Sequence, residues 1–376
     1  MAIEKQFPAG MPVSGTDLIG RERELKILFD TLANGQSVFL IAPRRLGKTS
    51  LALEALKRLQ KDGHFIAEVD IFKIISKREF AEKLVSSALK NKKIPDFFNK
   101  LKTGLAAILK NVQLRQVVED FEFILDFGSS SADENKLLEN SLEFLNEFSA
   151  KHKKHIFVLL DEFGDVTKLD GEEILKKMRA IVQRHQNATY LFAGSHESVM
   201  KHIFGDRKSP FFRFATTVEL GNLPIADTVT YIKRKFTSLG FKISESVANE
   251  IVDITEGHPY YTQLLCQKIY LSIKGVKELV NEEDIKDGLD SAIISERQYF
   301  EELWQRLRER KHHVLIVKTI AEGGSPYGIA ELDKQTIYNA LVVLEKSGVI
   351  KKTDKARHKL VDPFFRRYII SEANVP

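Results

Sequence analysis

Ser37-Val38-Phe39-Leu40-Ile41-Ala42-Pro43-Arg44-Arg45-Leu46-Gly47-Lys48-Thr49-Ser50 decides how the rest of the sequence is read. Its first five residues form a short apolar run with no polar alternation, the pattern of a strand buried on both faces of a parallel sheet. From Lys48 to about Leu59 the apolar positions recur at helical spacing, and Gly63 stops them. The loop between strand and helix suits a triphosphate. Backbone N–H groups in such a loop and at the helix start point at the phosphates. Gly47 lets the backbone approach closely, Lys48 reaches the β- and γ-phosphates, and the Thr49 hydroxyl ligates Mg²⁺. Ala42 stands where such loops usually have their first glycine, which puts the left-handed turn at that position in doubt.

Outward from this stretch, strand and helix patterns alternate. Phe65–Ile71 is a second strand candidate, residues 77–110 are helical by period with a break at Pro95, and 115–127 alternate as an exposed strand or hairpin. A linker at 128–132 and a helix at 134–150 lead to Ile156-Phe-Val-Leu-Leu160, another wholly apolar strand, closed by Asp161-Glu162-Phe163. A helix at 172–185 precedes the strand Tyr190–Ala193, and Thr217–Leu220 is the fifth. Such alternation predicts a parallel α/β sheet. Ligands of open α/β sheets sit at the carboxyl ends of the strands, where the two acids lie. There Asp161 would hold Mg²⁺, directly or through water, and Glu162 would orient and deprotonate an attacking water. Ser195, after Ala193-Gly194, is the first choice for a polar contact to the γ-phosphate or the water, and His196 the second.

The ends of the chain read differently. Pro8, Gly10, Pro12 and Gly15 make the start an extended lead-in, after which Asp17 would cap a helix covering Leu25–Leu32. Beyond Pro224, which opens a helix ended by Gly240, no strand candidate appears as far as residue 295. Gly257 closes the next helix, His258-Pro259 opens a third, and Asn281 begins a fourth. A separate helix at 295–310 then links to a last unit. The expected division is therefore a core at 1–222, a helical lid at 223–295, and a linker helix with a C-terminal module at 296–376.

Composition narrows the class. In 376 residues, 43% are hydrophobic and 29% charged, which excludes a mainly disordered chain. A lone cysteine, Cys266, excludes an internal disulfide framework and is expected in a core. No run of 18 apolar residues suggests a membrane span, and the N-terminus has no continuous apolar stretch of a secretory signal, so a cytoplasmic chain is expected. The net charge of +5 is compatible with an anionic partner without indicating one. His152 and His155 lack a third metal ligand, and the apolar stripe Phe97, Leu101, Leu105, Ile108, Leu109 reads as a packed helix with a basic face.

Together these motifs resemble the archaeal-type ATPase family, a branch of the P-loop NTPases close to the AAA+ and STAND ATPases. The resemblance rests on Leu18-Ile19-Gly20-Arg21-Glu22, Pro43-Arg44-Arg45-Leu46-Gly47-Lys48-Thr49-Ser50, Leu160-Asp161-Glu162-Phe163, Ala193-Gly194-Ser195 and Gly257-His258-Pro259-Tyr260-Tyr261. It implies a P-loop NTPase sheet of order 5-1-4-3-2, a helical lid, bound ATP or ADP with Mg²⁺, and adenine held between Ile19–Arg21 and the lid at Gly257, His258 and Pro259. STAND relatives often carry an arginine after the fourth strand, where this chain has His196. AAA+ relatives use an arginine, often from a neighbouring subunit, to stabilise transition-state charge. Arg213 is the candidate and Arg207 the runner-up; a nucleotide-dependent homo-oligomer is compatible with such an arginine, and the sequence does not fix the oligomer.

The C-terminal stretch reads as a helix at His312–Ala321, a short helix near Ile329–Leu332, a helix at Gln335–Lys346 and a hairpin around Lys355. Three helices and a hairpin resemble a winged-helix domain with Lys334, Gln335, Tyr338 and Asn339 facing outward. Eleven Lys/Arg against seven acids over 311–376 suit DNA, though such modules also serve as protein contacts. The leading expectation is an Mg²⁺-dependent ATPase whose nucleotide state sets lid and winged helix. An ADP-locked regulatory switch and a DNA-handling ATPase resembling origin-recognition proteins are the alternatives. A small-molecule kinase is the weakest reading, because lid and winged helix are surplus to that task.

Overall fold

A computed structural model describes residues 6–91, 115–117, 120–122, 134–195, 197–353 and 357–373. Helix beyond residue 91, the linker at 128–132, His196 and the hairpin tip at Lys355 lie outside the described residues. The chain folds as two compact units.

The first unit, Glu22–Arg44 with Lys48–Leu220, is built on five parallel strands. These are β1 (Val38–Ile41), β2 (Phe65–Asp70), β3 (Ile156–Asp161), β4 (Ala188–Gly194) and β5 (Thr216–Glu219), in the order β2-β3-β4-β1-β5. Read from the opposite edge this is 5-1-4-3-2. The three central strands β1, β3 and β4 are buried at every position, as their uninterrupted apolar runs require. The outer strands show the edge pattern: β2 alternates buried and less buried residues, and only Val218 of β5 is buried. Each fully buried Leu, Val or Phe in such a sheet stabilises the fold by about 1.5–3 kcal/mol. Register brings the carboxyl ends level, with Ile41 opposite Gly194 and Glu219, and Leu160 opposite Phe192.

The helix Lys48–Lys61 buries Leu51, Ala52, Ala55, Leu56 and Leu59 at helical spacing and ends before Gly63, whose φ is +92°. The helix Lys77–Leu89 starts where the Ser76 hydroxyl accepts the Glu79 N–H at 3.1 Å. Residues of the expected 115–127 hairpin pair antiparallel, Arg115–Val117 with Asp120–Glu122.

The second unit contains residues 6–21, Arg45–Gly47 and the described part of Gly221–Pro376. Asp17 does not cap a helix. It lies in a 3-10 turn and accepts from the Tyr231 hydroxyl at 2.9 Å and the Lys235 ammonium at 3.1 Å, so the helix Glu22–Ala33 begins without it. Helices Ile225–Ser238, Glu245–Thr255, Pro259–Ile273 and Glu282–Arg308 follow, with one short parallel pair, Lys242–Ile243 against Leu279–Val280. The expected break near 295 is absent. Asn281 and Asp284 form a capping box, and 27 residues run on as one helix because Ala292, Glu296, Phe300, Trp304 and Leu307 keep a single buried stripe across the supposed joint.

Helices Lys311–Ala321 and Lys334–Lys346 and the antiparallel pair Ile350–Lys352 with His358–Leu360 come next. In place of a helix at Ile329–Leu332 there is a 3-10 turn at Pro326–Gly328. A last helix, Pro363–Ala373, was not anticipated, although its start is written in Asp362-Pro363. The Asp362 carboxylate accepts the N–H groups of Phe364 and Phe365 at 2.9 and 2.8 Å, and proline suits the first helical position. One apolar core holds this unit together, from Phe7 and Ile19 through Phe236, Tyr261 and Trp304 to Phe365 and Ile369. No helix of the described residues is long and apolar enough to cross a membrane.

Within that core Gly257 has φ +67°, and a Cβ there would lie 2.6 Å from the carbonyl oxygen of Leu223. Gly257→Ala is therefore expected to destabilise the second unit by about 1–3 kcal/mol, read as a lowered denaturant midpoint. An unchanged midpoint would contradict this close backbone approach.

Candidate active site

The first unit assembles its polar residues at the carboxyl edge of the sheet. The chain leaves β1 at Ile41 into Ala42, which is buried. Ala42 is not left-handed. The positive φ values of the loop fall at Arg45, +65°, and Gly47, +88°. An L-residue therefore fits at 42, and the missing glycine costs nothing there. Lys48 opens the helix and is 5% exposed, with its ammonium donating to the carbonyls of Ala42 at 3.0 Å and Pro43 at 3.1 Å. A buried ammonium needs such acceptors. Ser50, in the first turn of the same helix, is buried as well.

Thr49 donates its hydroxyl to Asp161 Oδ2 at 2.7 Å. Oδ1 of the same carboxylate accepts the Glu162 N–H at 2.9 Å. Burial pushes the Asp161 carboxyl above its usual range, against these two hydrogen bonds. A buried carboxylate beside a hydroxyl is a hard-oxygen donor pair. Magnesium is typically bound by one or two carboxylates with phosphates and waters completing the shell, so the residues fit that ion. Glu162 has φ +48° and ψ +43°, a left-handed conformation rare for a residue with a Cβ. Its carboxylate oxygen Oε2 accepts both the N–H, at 2.9 Å, and the hydroxyl, at 2.7 Å, of Ser195. Lys48, Thr49, Asp161, Glu162 and Ser195 thus meet at one edge.

Arg213 is not drawn into this group. It is exposed, also left-handed at φ +55°, and its guanidinium lies over the ring of Phe212 at 5.2 Å. Arg207 is exposed too.

In the second unit, Ile19 is buried in the apolar core, and Gly20, φ +54°, leaves no room for a Cβ beside Pro224 and Asp227. Arg21 is 3% exposed and donates to the carbonyls of Gly221 at 2.6 Å and Leu46 at 3.3 Å. His258 occupies the N-cap position before Pro259 but makes no side-chain capping bond. Its φ and ψ already satisfy the cap, and the ring is turned against Tyr261, centroids 4.7 Å apart. Burial, then the positive charge of Arg45, depress the His258 imidazole to about 3. Its Nδ1 is buried without a hydrogen-bond partner.

Two tyrosines follow His258-Pro259, and their partners lie far along the chain. Tyr260 donates to Glu296 at 2.5 Å and Tyr261 donates to Asp362. Glu296 also pairs with Arg45. An acid set into an apolar helical stripe was the available signal, since glutamate is rarely buried without a partner.

The profile of a family described as "ATPase domain predominantly from Archaea" matches residues 18–265. Among curated proteins none matches the sequence. Among solved structures, a Walker-type ATPase of Pyrococcus abyssi is similar over 97% of this chain and 100% of its own, with a TM-score of 0.70 and 19% identity. The ORC2 protein of Aeropyrum pernix, solved as ADPNP-ADP complexes, is similar over 98% of both chains, with a TM-score of 0.61 and 13% identity. At these identities the likeness shows the fold, and the profile match shows the family. With its phosphate-type loop, acidic strand end and five-stranded parallel sheet, the chain belongs to the P-loop ATPase domain family found predominantly in Archaea.

Proposed function

We propose that the protein binds ATP with Mg²⁺ and hydrolyses it slowly, with the nucleotide state setting the arrangement of its helical and C-terminal parts. The observation that carries this reading is the hydrogen bond from Thr49 to the buried Asp161, which puts a loop hydroxyl and a strand-end carboxylate at one point. Lys48 supplies the positive charge for the β- and γ-phosphates by exchanging loop carbonyls for phosphate oxygens. Thr49 and Asp161 would hold Mg²⁺, which when bound neutralises charge on those oxygens. Glu162 takes the proton of the attacking water, and Ser195 holds that carboxylate in place until substrate arrives. Arg213 serves a neighbouring copy, which its exposure allows.

A second reading has its own observation. The C-terminal helices and hairpin form a winged helix in this view, and the helix Lys334–Lys346 exposes Lys334, Gln335, Tyr338 and Asn339 with no acid among them. Such a face suits a nucleic-acid groove. Duplex binding that weakens steeply with salt supports it, and binding insensitive to Lys334→Glu counts against it.

Lys48→Ala is expected to lower nucleotide affinity by at least about 100-fold, measured by calorimetry. Glu162→Gln is expected to keep affinity while turnover falls by about 100-fold or more. Wild-type protein that binds no ATP in the presence of magnesium overturns the proposal.

His258 yields a pH prediction. Its folded value lies below the ordinary value near 6.5, so between these the unfolded chain binds the extra proton and stability falls as pH falls. The loss attributable to His258 is about 2 kcal/mol between pH 6.5 and 5. Denaturant titrations of His258→Gln should show a flatter acid limb than wild type. Parallel limbs would refute the neutral imidazole.

A further inference from the structure

The middle of the phosphate loop is held by side chains of the second unit, to which Arg45–Gly47 belong. Arg45 donates through Nη1 to Glu296 Oε2 at 2.5 Å, and its guanidinium lies 4.2 Å from the centroid of the Tyr260 ring and 5.3 Å from that of Tyr299. Tyr260 donates its hydroxyl to the other oxygen, Glu296 Oε1, at 2.5 Å. Glu296 is 8% exposed, and both its oxygens are engaged. The grip is therefore a charge-assisted pair with an aromatic wall.

The backbone explains what this grip is for. Arg45 is left-handed at φ +65°, a conformation that glycine reaches freely and arginine does not. A residue in that region reverses the direction of the N–H groups that follow it, which is how successive amides come to face one anion. Here the residue making the reversal is not glycine, so something outside the local backbone has to keep it there. Glu296 and Tyr260 do so through the side chain, and Arg21 fixes the next carbonyl, that of Leu46.

We propose that Glu296, with Tyr260, is a positioning residue for the phosphate loop. By holding the Arg45 side chain it keeps the backbone at Arg45 left-handed and the Leu46 and Gly47 amides aimed at phosphate. The proposal rests on the nucleotide-binding reading and adds a dependence of that binding on a helix remote in sequence.

The test uses the full chain and four variants: E296Q, Y260F, R45G and the double variant R45G/E296Q. Two readouts are taken, the KM and kcat for Mg-ATP, and hydrogen exchange of the Leu46 and Gly47 amides in nucleotide-free protein. E296Q is expected to raise KM about five- to tenfold while kcat changes less, and to speed exchange at both amides. Y260F, which keeps the ring, should do the same to a smaller extent. On the R45G background, where glycine needs no grip, E296Q should add no further change in either readout. Equal effects of E296Q in wild type and on the R45G background would mean a merely structural role and overturn the proposal. So would wild-type exchange rates in E296Q, or loss of binding in R45G as complete as in K48A, which would make Arg45 itself the phosphate ligand. If wild type binds no ATP the nucleotide reading falls, while the exchange rates still decide whether Glu296 orders the loop.

Discussion

A hydroxyl and a carboxylate 112 residues apart, those of Thr49 and Asp161, share one hydrogen bond, and the candidate site depends on it. Thr49 lies in the helix that follows β1 and Asp161 ends β3, and β4 lies between these two strands. The bond forms because parallel register carries all three strands to a common edge, where Ile41 faces Gly194 and Leu160 faces Phe192. A charge-assisted hydrogen bond of this sort is worth about 1.5–3 kcal/mol, and it opposes, without cancelling, the upward push of burial on the Asp161 carboxyl. The same edge sets Glu162 against Ser195, so two acids on successive residues have different partners.

Three of the six left-handed residues with a Cβ among the described residues lie near candidate site positions. Arg45, Glu162 and Arg213 are left-handed residues with a Cβ, each in a loop next to a strand and each expected in the site. Such conformations cost about 1–3 kcal/mol each and persist only where neighbours over-determine them. For Glu162 the neighbour is Ser195, which holds the carboxylate by two bonds. For Arg45 it is the Glu296–Tyr260 pair. In both of these cases a side-chain contact accompanies the left-handed backbone.

The second unit shows the complementary rule. Its apolar core runs from Phe7 to Ile369, and the polar groups inside it are accommodated in different ways: Asp362 caps the final helix and takes the Tyr261 hydroxyl, while His258, whose Nδ1 has no partner, stays neutral against the Tyr261 ring. The stacked Tyr261 and Phe364 rings, 4.2 Å apart, tie the Gly-His-Pro-Tyr-Tyr segment to that last helix.

Strands β1, β3 and β4, the loop at 42–50 and the acids at 161–162 were legible in the sequence. Each is a local signal: an unbroken apolar run, a glycine and lysine at fixed spacing, a charge at a strand end. The family resemblance added the strand order, which the sheet bears out. Local signals failed where the outcome depended on what lay across the fold. Asp17 looked like a cap because nothing nearby announced Tyr231 and Lys235, and the helix from Glu282 to Arg308 looked like two because its continuity comes from a buried stripe. The chain by itself determined the apolar strands, the loop and the paired acids at a strand end, because hydrogen-bonding type and short-range periodicity are properties of neighbouring residues. Only the tertiary structure decided which of them meet and how the phosphate loop is held, because pairs such as Arg45 and Glu296 are 251 residues apart and are joined by packing alone.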